Sequence, residues 1–358
     1  MKKICIVTTS LGRGGAERFS GMLSQILDQL NFDVHVLTTK NVVKYTYAGK
    51  LFNVELTLNG SKNGLKKLRL LKQYFKENKF DVIIDNRPRS VFFKEYIIYK
   101  YLFKAEKILP IIHSYNIKNY IPNNRFLARV LYADIYRIVC VSKKIKNEIR
   151  EQYDLKNVIA IYNPVDFDWI MKKANEPIFF RKNNKYILFF GRVQDQSKNL
   201  SLLIDAYKNS KLAKKNISLL ILGSGEDVKL IKERVKRASL ISHVFFLSFT
   251  ENPYPYVKNA LFTVLTSRYE GFPLSLIESL ACGTPVLSVD CNSGPSEVIK
   301  NRENGLLVEN YNQSAISDAM NELVENEQLY NYIKQNTVNS ISHLKIETIG
   351  MQWRKIID

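Results

Sequence analysis

Tyr186-Ile187-Leu188-Phe189-Phe190 is an unbroken apolar row, and it limits the fold more than any other stretch. A strand on a half-solvated sheet alternates polar and apolar residues. A strand with no polar face is covered on both sides, the condition of a parallel sheet between helices. Comparable β-rich runs recur along the chain: Lys2–Thr9, Phe32–Thr38, Asp81–Asp85, Ile108–Ile112, Arg137–Val141, Ile217–Leu222, Val244–Leu247, Phe262–Leu265, Pro285–Val289 and Gly305–Val308. Helical patterns fall among them, including Asn312–Val324 and Gln328–Ser340, so the fold class expected is α/β with doubly wound sheets. At 358 residues the chain exceeds one ordinary core and suggests two domains. Asn163-Pro164-Val165-Asp166 is the expected linker, giving domains 1–165 and 166–344.

The most informative run is Arg268-Tyr269-Glu270-Gly271-Phe272-Pro273-Leu274-Ser275-Leu276-Ile277-Glu278, between a strand and the turn Gly283-Thr284-Pro285. Phe272 precedes a proline and is pushed toward extended geometry, so Pro273 is expected at the first helical position. Gly283 supplies the stop. The backbone donors of Leu274, Ser275 and Leu276 then lack intrahelical partners, and with the positive helix end they form an anion site. Glu270 lies in the loop before it. Glu278 lies inside the helix on the face of Ser275. Ionised carboxylates only accept hydrogen bonds, so each suits a vicinal pair of hydroxyls. An anion with hydroxylated groups on both sides describes a nucleoside diphosphate sugar.

The run G-F-P-L-S-L-I-E-S-L-A-C-G-T-P-V with its two glutamates resembles the paired-glutamate motif of retaining glycosyltransferases of the GT-B fold, family 4. The resemblance implies two doubly wound Rossmann-like domains facing each other across a cleft, with the tail Lys345–Ile357 returning as a helix to the first domain. It makes Glu278 the ribose-binding residue and Glu270 the residue at the transferred sugar, with Gly271, Phe272, Leu274 and Ser275 at the donor. Gly191-Arg192 ends the Tyr186–Phe190 strand and Lys198-Asn199 begins a helix, which is similar to the family's G-R-x-x-x-x-K-N pattern with one residue more in the spacer. Ligands bind beyond the carboxyl ends of such strands, where Arg192 and Lys198 would offer two positive charges to a diphosphate. Gly223 and Gly225 form a phosphate- or nucleoside-facing turn. By resemblance the segment holding Phe249 meets the nucleobase.

In the first half, Ser10-Leu11-Gly12-Arg13-Gly14-Gly15-Ala16-Glu17-Arg18 follows a strand. Glycine lets backbone N–H groups approach a ligand there. The spacing is not G-x-G-x-x-G and no acidic residue follows at the Rossmann distance, which disfavours a nicotinamide cofactor. Gly14 and Gly15 resemble the family's first glycine loop, facing donor phosphates and acceptor. Similarly, His113 at the end of Ile108–Ile112 resembles a histidine beside the transferred sugar. Catalytic roles are therefore expected for His113, Arg192, Lys198 and Glu270, without a metal or cofactor. The donor expected is a UDP-linked sugar, transferred with retention through a front-face ion pair.

Net charge is +19, and residues 1–165 hold 29 Lys and Arg against 13 Asp and Glu. The rest is nearly neutral, with 24 against 21. Lys62, Lys66, Arg69, Lys72 or Gln73, and Lys76 recur at helical spacing on a different face from Leu65, Leu68, Leu71 and Phe75, a basic amphipathic helix. Arg87–Lys107 interleaves aromatics and lysines. That pattern suits a membrane interface and equally a buried helix. An anionic bilayer and a polyprenyl-diphosphate-linked saccharide are the expected partners, for a peripheral enzyme of bacterial surface-polysaccharide assembly on the cytoplasmic face. No nucleic-acid motif accompanies the charge. A same-fold nucleotide-sugar epimerase and a catalytically silent binding protein stay open as alternatives. Cys5, Cys140, Cys282 and Cys291 show no ligand spacing and read as reduced core thiols. The apolar run after Met-Lys-Lys is too short for a signal peptide, and no stretch is long enough to span a membrane.

Overall fold

The computed structural model describes residues 1–12, 14–61, 63–178 and 185–358; Arg13 and Lys62 of the expected glycine loop and basic helix lie outside it. The chain divides into two compact units, Met1–Pro164 with Ile346–Asp358, and Val165–Lys345.

The first unit holds a seven-stranded sheet built from β1 (Lys3–Thr8), β2 (Asp33–Thr38), β3 (Lys50–Asn53), β4 (Val82–Asp85), β5 (Lys107–Ile112), β6 (Ile138–Cys140) and β7 (Val158–Ala160). Their order is β3-β2-β1-β4-β5-β6-β7, with every pair parallel. The order reverses between β1 and β4, the switch point at which doubly wound sheets bind ligands. β3 has no counterpart among the expected strands, because this partly exposed edge strand carries Lys50 and Asn53 rather than an apolar row. Its entry is set by Gly49, at φ +84, where a Cβ would overlap the Val34 carbonyl oxygen. β7 pairs with β6 through Val158–Ala160.

The Ile346–Ile357 helix packs against the Gly15–Gln29 helix. Trp353 is wholly buried with its ring 6.2 Å from Phe19, and Gly350 leaves room for Ile26. Lys2 and Lys107 donate to the Ile357 carbonyl oxygen at 2.9 and 3.0 Å, two cations at a helix carboxyl end.

Behind β4 lies a buried charge network. Arg87 grips both carboxylate oxygens of Asp85 at 2.8 Å and reaches Glu95 at 3.0 Å. Arg89 donates to the carbonyl oxygens of Asp85, Arg87 and Ile111 and to the Tyr132 hydroxyl. All four charged residues are buried. This corrects the expected basic surface: Arg87, Arg89 and also Lys107 face inward, drawn in by buried acceptors rather than by lipid.

The second unit repeats the plan with β8 (Tyr186–Phe190), β9 (Ser218–Leu222), β10 (Val244–Leu247), β11 (Thr263–Leu265), β12 (Val286–Val289) and β13 (Gly305–Val308). Its order is β10-β9-β8-β11-β12-β13, all parallel, with the reversal between β8 and β11. All five β8 residues are buried, as a strand covered on both faces requires. Among the described residues no helix is long and apolar enough to cross a membrane.

Candidate active site

In the second unit the switch point places the loops after β8 and β11 side by side. Arg192 is exposed, and among the described residues its guanidinium has no hydrogen bond or ion pair. The longer spacer is taken up by a helical turn, Asp195–Lys198, which Lys198 ends rather than starts a helix. Asn199 turns the chain at φ +52, and the Leu200–Asn209 helix follows. Three donor groups tie this turn to the loop after β11. The Arg268 N–H donates to the Ser197 carbonyl oxygen at 2.9 Å. The Arg268 guanidinium donates to Asn199 Oδ1 at 3.0 Å, and Thr266 Oγ1 to the carbonyl oxygens of Lys198 and Asn199.

That suture brings Lys198 Nζ to 2.6 Å from Glu270 Oε1, which also accepts from Ser267 Oγ at 2.6 Å. Both charges are partly buried, so water screens the pair less than a surface one. Lys198, expected to offer its charge to a diphosphate, is thus also paired with Glu270, another of the catalytic candidates. The Glu270 N–H donates to the Asn292 carbonyl oxygen at 3.1 Å, and Ser293 Oγ donates to the Gly271 carbonyl oxygen at 2.9 Å. Gly294, at φ +102, sits where a Cβ would strike Pro273. The loop is thus clamped from behind, with Gly271 and Phe272 buried.

The helix after this loop is Leu274–Ala281, with Pro273 one place earlier than expected, as its cap. The Leu276 N–H consequently donates to the Pro273 carbonyl oxygen at 3.0 Å. The anion-facing donors narrow to those of Leu274 and Ser275, both half-buried. Glu278 is buried, and the Tyr254 hydroxyl donates to its Oε1 at 3.2 Å. Trp169 meets Tyr254 edge-on at 5.5 Å. Sequence reasoning missed Ser267 and Tyr254 as holders of the site, since a lone hydroxyl at no fixed spacing carries no motif.

Gly223, at φ +154, and Gly225 have a packing reason. A Cβ on either would overlap the carbonyl oxygens of Gly191 and Val193, so these glycines let the turn after β9 lie against the loop after β8. Phe249, half-exposed, follows β10. Cys282 and Cys291 are buried free thiols pushed up to about 12, by burial first and then by Glu278 and Glu270 respectively. Among the described residues no group of three or more His, Cys, Asp or Glu side chains could hold a metal ion.

In the first unit the switch point gathers the glycine loop and His113. Gly14 caps the Gly15–Gln29 helix with ordinary extended backbone, so its lack of a side chain answers to space, with Glu17 close behind. Glu17 accepts from Ser10 Oγ at 2.5 Å. His113, at the end of β5, hydrogen-bonds Asn86 through Nε2 and meets Phe19 edge-on at 5.0 Å. Burial, then nearby Arg89, pushes its pKa down to about 3, so it is neutral at physiological pH.

Two family models match the chain, "Glycosyltransferase Family 4" over residues 13–169 and "Glycosyl transferases group 1" over residues 171–340. The chain is 30% identical over 344 residues to the N-acetylgalactosamine-N,N'-diacetylbacillosaminyl-diphospho-undecaprenol 4-alpha-N-acetylgalactosaminyltransferase of Campylobacter jejuni, covering 92% of each. It is 26% identical to the amylovoran biosynthesis glycosyltransferase AmsD of Erwinia amylovora across 100% of both chains. Among solved structures, a TarM variant of Staphylococcus aureus with UDP superposes at a TM-score of 0.80, with 16% identity and 100% of both chains covered. Two parallel-sheet units, both family models and near full-length likeness agree: this chain belongs to the GT-B glycosyltransferases of family 4.

Proposed function

We propose that the protein moves a hexose or N-acetylhexosamine from a UDP-sugar to a lipid-linked saccharide during bacterial surface-polysaccharide synthesis, with retention and without a metal. The observation that carries this reading is the pair of held carboxylates that flank one helix amino end in the chain, Glu270 in the loop before it and Glu278 a turn inside the helix. Glu278 is held by Tyr254, Glu270 by Lys198 and Ser267, and the Leu274 and Ser275 donors lie between them in the chain. In this reading Glu278 takes the ribose hydroxyls, the helix end, Arg192 and Lys198 take the diphosphate, and Glu270 takes the sugar. The bond from the anomeric carbon to the phosphate oxygen breaks, an acceptor oxygen bonds that carbon on the same face, and the acceptor's proton passes to the departing phosphate. The named activity of the Campylobacter relative, and UDP in the TarM structure, support the choice of acceptor and base.

Glu278→Ala is expected to weaken UDP binding, since a charged acceptor of two hydroxyls contributes about 1.5–3 kcal/mol. Calorimetry with UDP and GDP checks this. Unchanged affinity for whichever nucleotide binds the wild type returns Glu278 to a structural role beside Tyr254. The anomeric configuration of the product, read by NMR, tests retention.

The lipid-linked acceptor draws support from the first unit's surface. The Gly64–Asn78 helix buries only Tyr74 and Phe75, while Leu65 is 69% exposed amid Lys66, Arg69 and Lys72. Phe93 is 77% exposed on the Phe92–Ile97 helix and Phe126 is 73% exposed, beside Arg125 and Arg129, on the adjoining Arg125–Tyr132 helix. Apolar rings and leucines interspersed with cations fit an anionic bilayer, where each cation contributes about 1 kcal/mol. Co-sedimentation with anionic but not neutral vesicles is expected, reversed by high salt. Lys66→Glu with Arg69→Glu and Lys72→Glu should abolish it and spare UDP binding. Wild-type protein left in the supernatant with anionic vesicles at low salt makes a soluble acceptor the better assignment.

A further inference from the structure

Asn86 stands one residue past the end of β4, at the first unit's switch point, and both ends of its side-chain amide are engaged. Its Nδ2 donates to the Ala16 carbonyl oxygen and to Ser20 Oγ, both at 2.6 Å, while its Oδ1 faces His113 Nε2. Its own N–H donates to the Val7 carbonyl oxygen at 2.8 Å. Chemistry fixes which way the amide points. A backbone carbonyl can only accept, so the NH₂ group must face Ala16 and the amide oxygen must face the imidazole. An amide oxygen also only accepts, so the proton of that contact belongs to Nε2. The imidazole is neutral and has a single N–H, which leaves Nδ1 with a bare lone pair. Turning the ring over would take Nε2 away from Asn86, and Phe19 lies edge-on to it at 5.0 Å.

We propose that Asn86 is a positioning residue that locks His113 as its Nε2–H tautomer, so that His113 meets the substrate as a hydrogen-bond acceptor at Nδ1. Asn86 in turn is anchored to the first turns of the Gly15–Gln29 helix, so the glycine loop and the histidine are set by one amide. A substrate hydroxyl can then donate to His113, whereas a group that only accepts, such as a methylated oxygen, is refused. The substrate-facing part rests on the glycosyl-transfer reading; the tautomer does not.

The test is ¹⁵N NMR of histidine-labelled full-length protein, with the His113 signals identified by their loss in His113→Gln. At neutral pH the wild type is expected to show a protonated Nε2 and an unprotonated Nδ1. In Asn86→Ala the two tautomers should mix, and kcat should fall about tenfold or more while UDP affinity holds. A wild-type Nδ1–H tautomer or an imidazolium overturns the proposal even if Asn86→Ala fails to fold. An Asn86→Ala protein with the wild-type spectrum and kcat overturns it equally. The expected tautomer in an enzyme that transfers no sugar from any nucleotide donor would sink the functional reading and the substrate-facing half of the proposal, while the lock itself stands.

Discussion

Lys198→Ala is expected to lower kcat by roughly 10²–10³-fold while weakening donor binding far less. Charge on the leaving diphosphate grows as the sugar–phosphate bond breaks, and a fixed cation is worth most at that moment. The structure adds a second contribution. Lys198 lies 2.6 Å from Glu270, so its removal leaves that partly buried carboxylate with Ser267 as its hydrogen-bond donor. A glutamate without its counter-charge would hold the sugar less well in the geometry of transfer. Glu270→Gln separates the two contributions, since it frees Lys198 and keeps the shape. Steady-state kinetics beside UDP calorimetry decide the matter. An intact kcat with a large loss of affinity would make Lys198 a ground-state binding residue. A chelator should leave wild-type turnover unchanged, and strict dependence on a divalent ion would move the counter-charge from Lys198 to a metal.

Arg87→Met should cost the first unit about 3–5 kcal/mol, because it strands Asp85 and Glu95 away from water with only part of their compensation. Asp85 is wholly buried, and although burial alone would push its carboxyl up, Arg87 and Arg89 hold it below the ordinary carboxylate range. The two tryptophans permit a direct reading, since Trp353 belongs to the first unit and Trp169 to the second. In a Trp169→Phe background the urea midpoint of Trp353 fluorescence should fall sharply with Arg87→Met. UDP binding should persist. A midpoint shift equivalent to less than about 1 kcal/mol would show that Asp85 and Glu95 find other partners. The same unit is expected to weaken in acid. His113, pushed down to about 3, and His35, lowered chiefly by burial, are both neutral when folded and bind protons more readily when unfolded. Their contribution is complete above about pH 6.5 and is lost as pH falls from there toward the folded values. Asp85 adds a loss of the same sign below about pH 4.

What the sequence disclosed follows from how each feature is encoded. Parallel strands between helices write themselves as apolar rows, so the fully buried Tyr186–Phe190 and the partly buried edge strands Val244–Leu247 and Gly305–Val308 have the bounds expected of them. The loop of Glu270 and the helix of Glu278 were legible because a proline, a glycine stop and two carboxylates occupy consecutive stretches of chain. The Lys198–Glu270 pair was not, since it joins residues 72 apart and depends on Arg268 and Thr266 sewing two loops together. Arg87 and Arg89 misled for a related reason. Arginines beside aromatic residues read alike whether they face lipid or a buried aspartate, and only tertiary structure brings Glu95, Tyr132 and Ile111 to meet them.

The crossing of the chain has a consequence for biosynthesis. Residues 165–345 form one uninterrupted unit, but the unit that begins at Met1 is finished only by residues 346–358. A chain made from its amino end therefore offers the second unit a chance to fold while the first still exposes the faces of Phe19 and Ile26 that Trp353 and Gly350 will cover. During those seconds of translation the glycine loop and His113 rest on an unfinished helix layer. Nascent chains stalled before Ile346 should accordingly be nicked by protease in the first 164 residues and resist it in the second unit, with Ile346–Asp358 acting as the latch of the first.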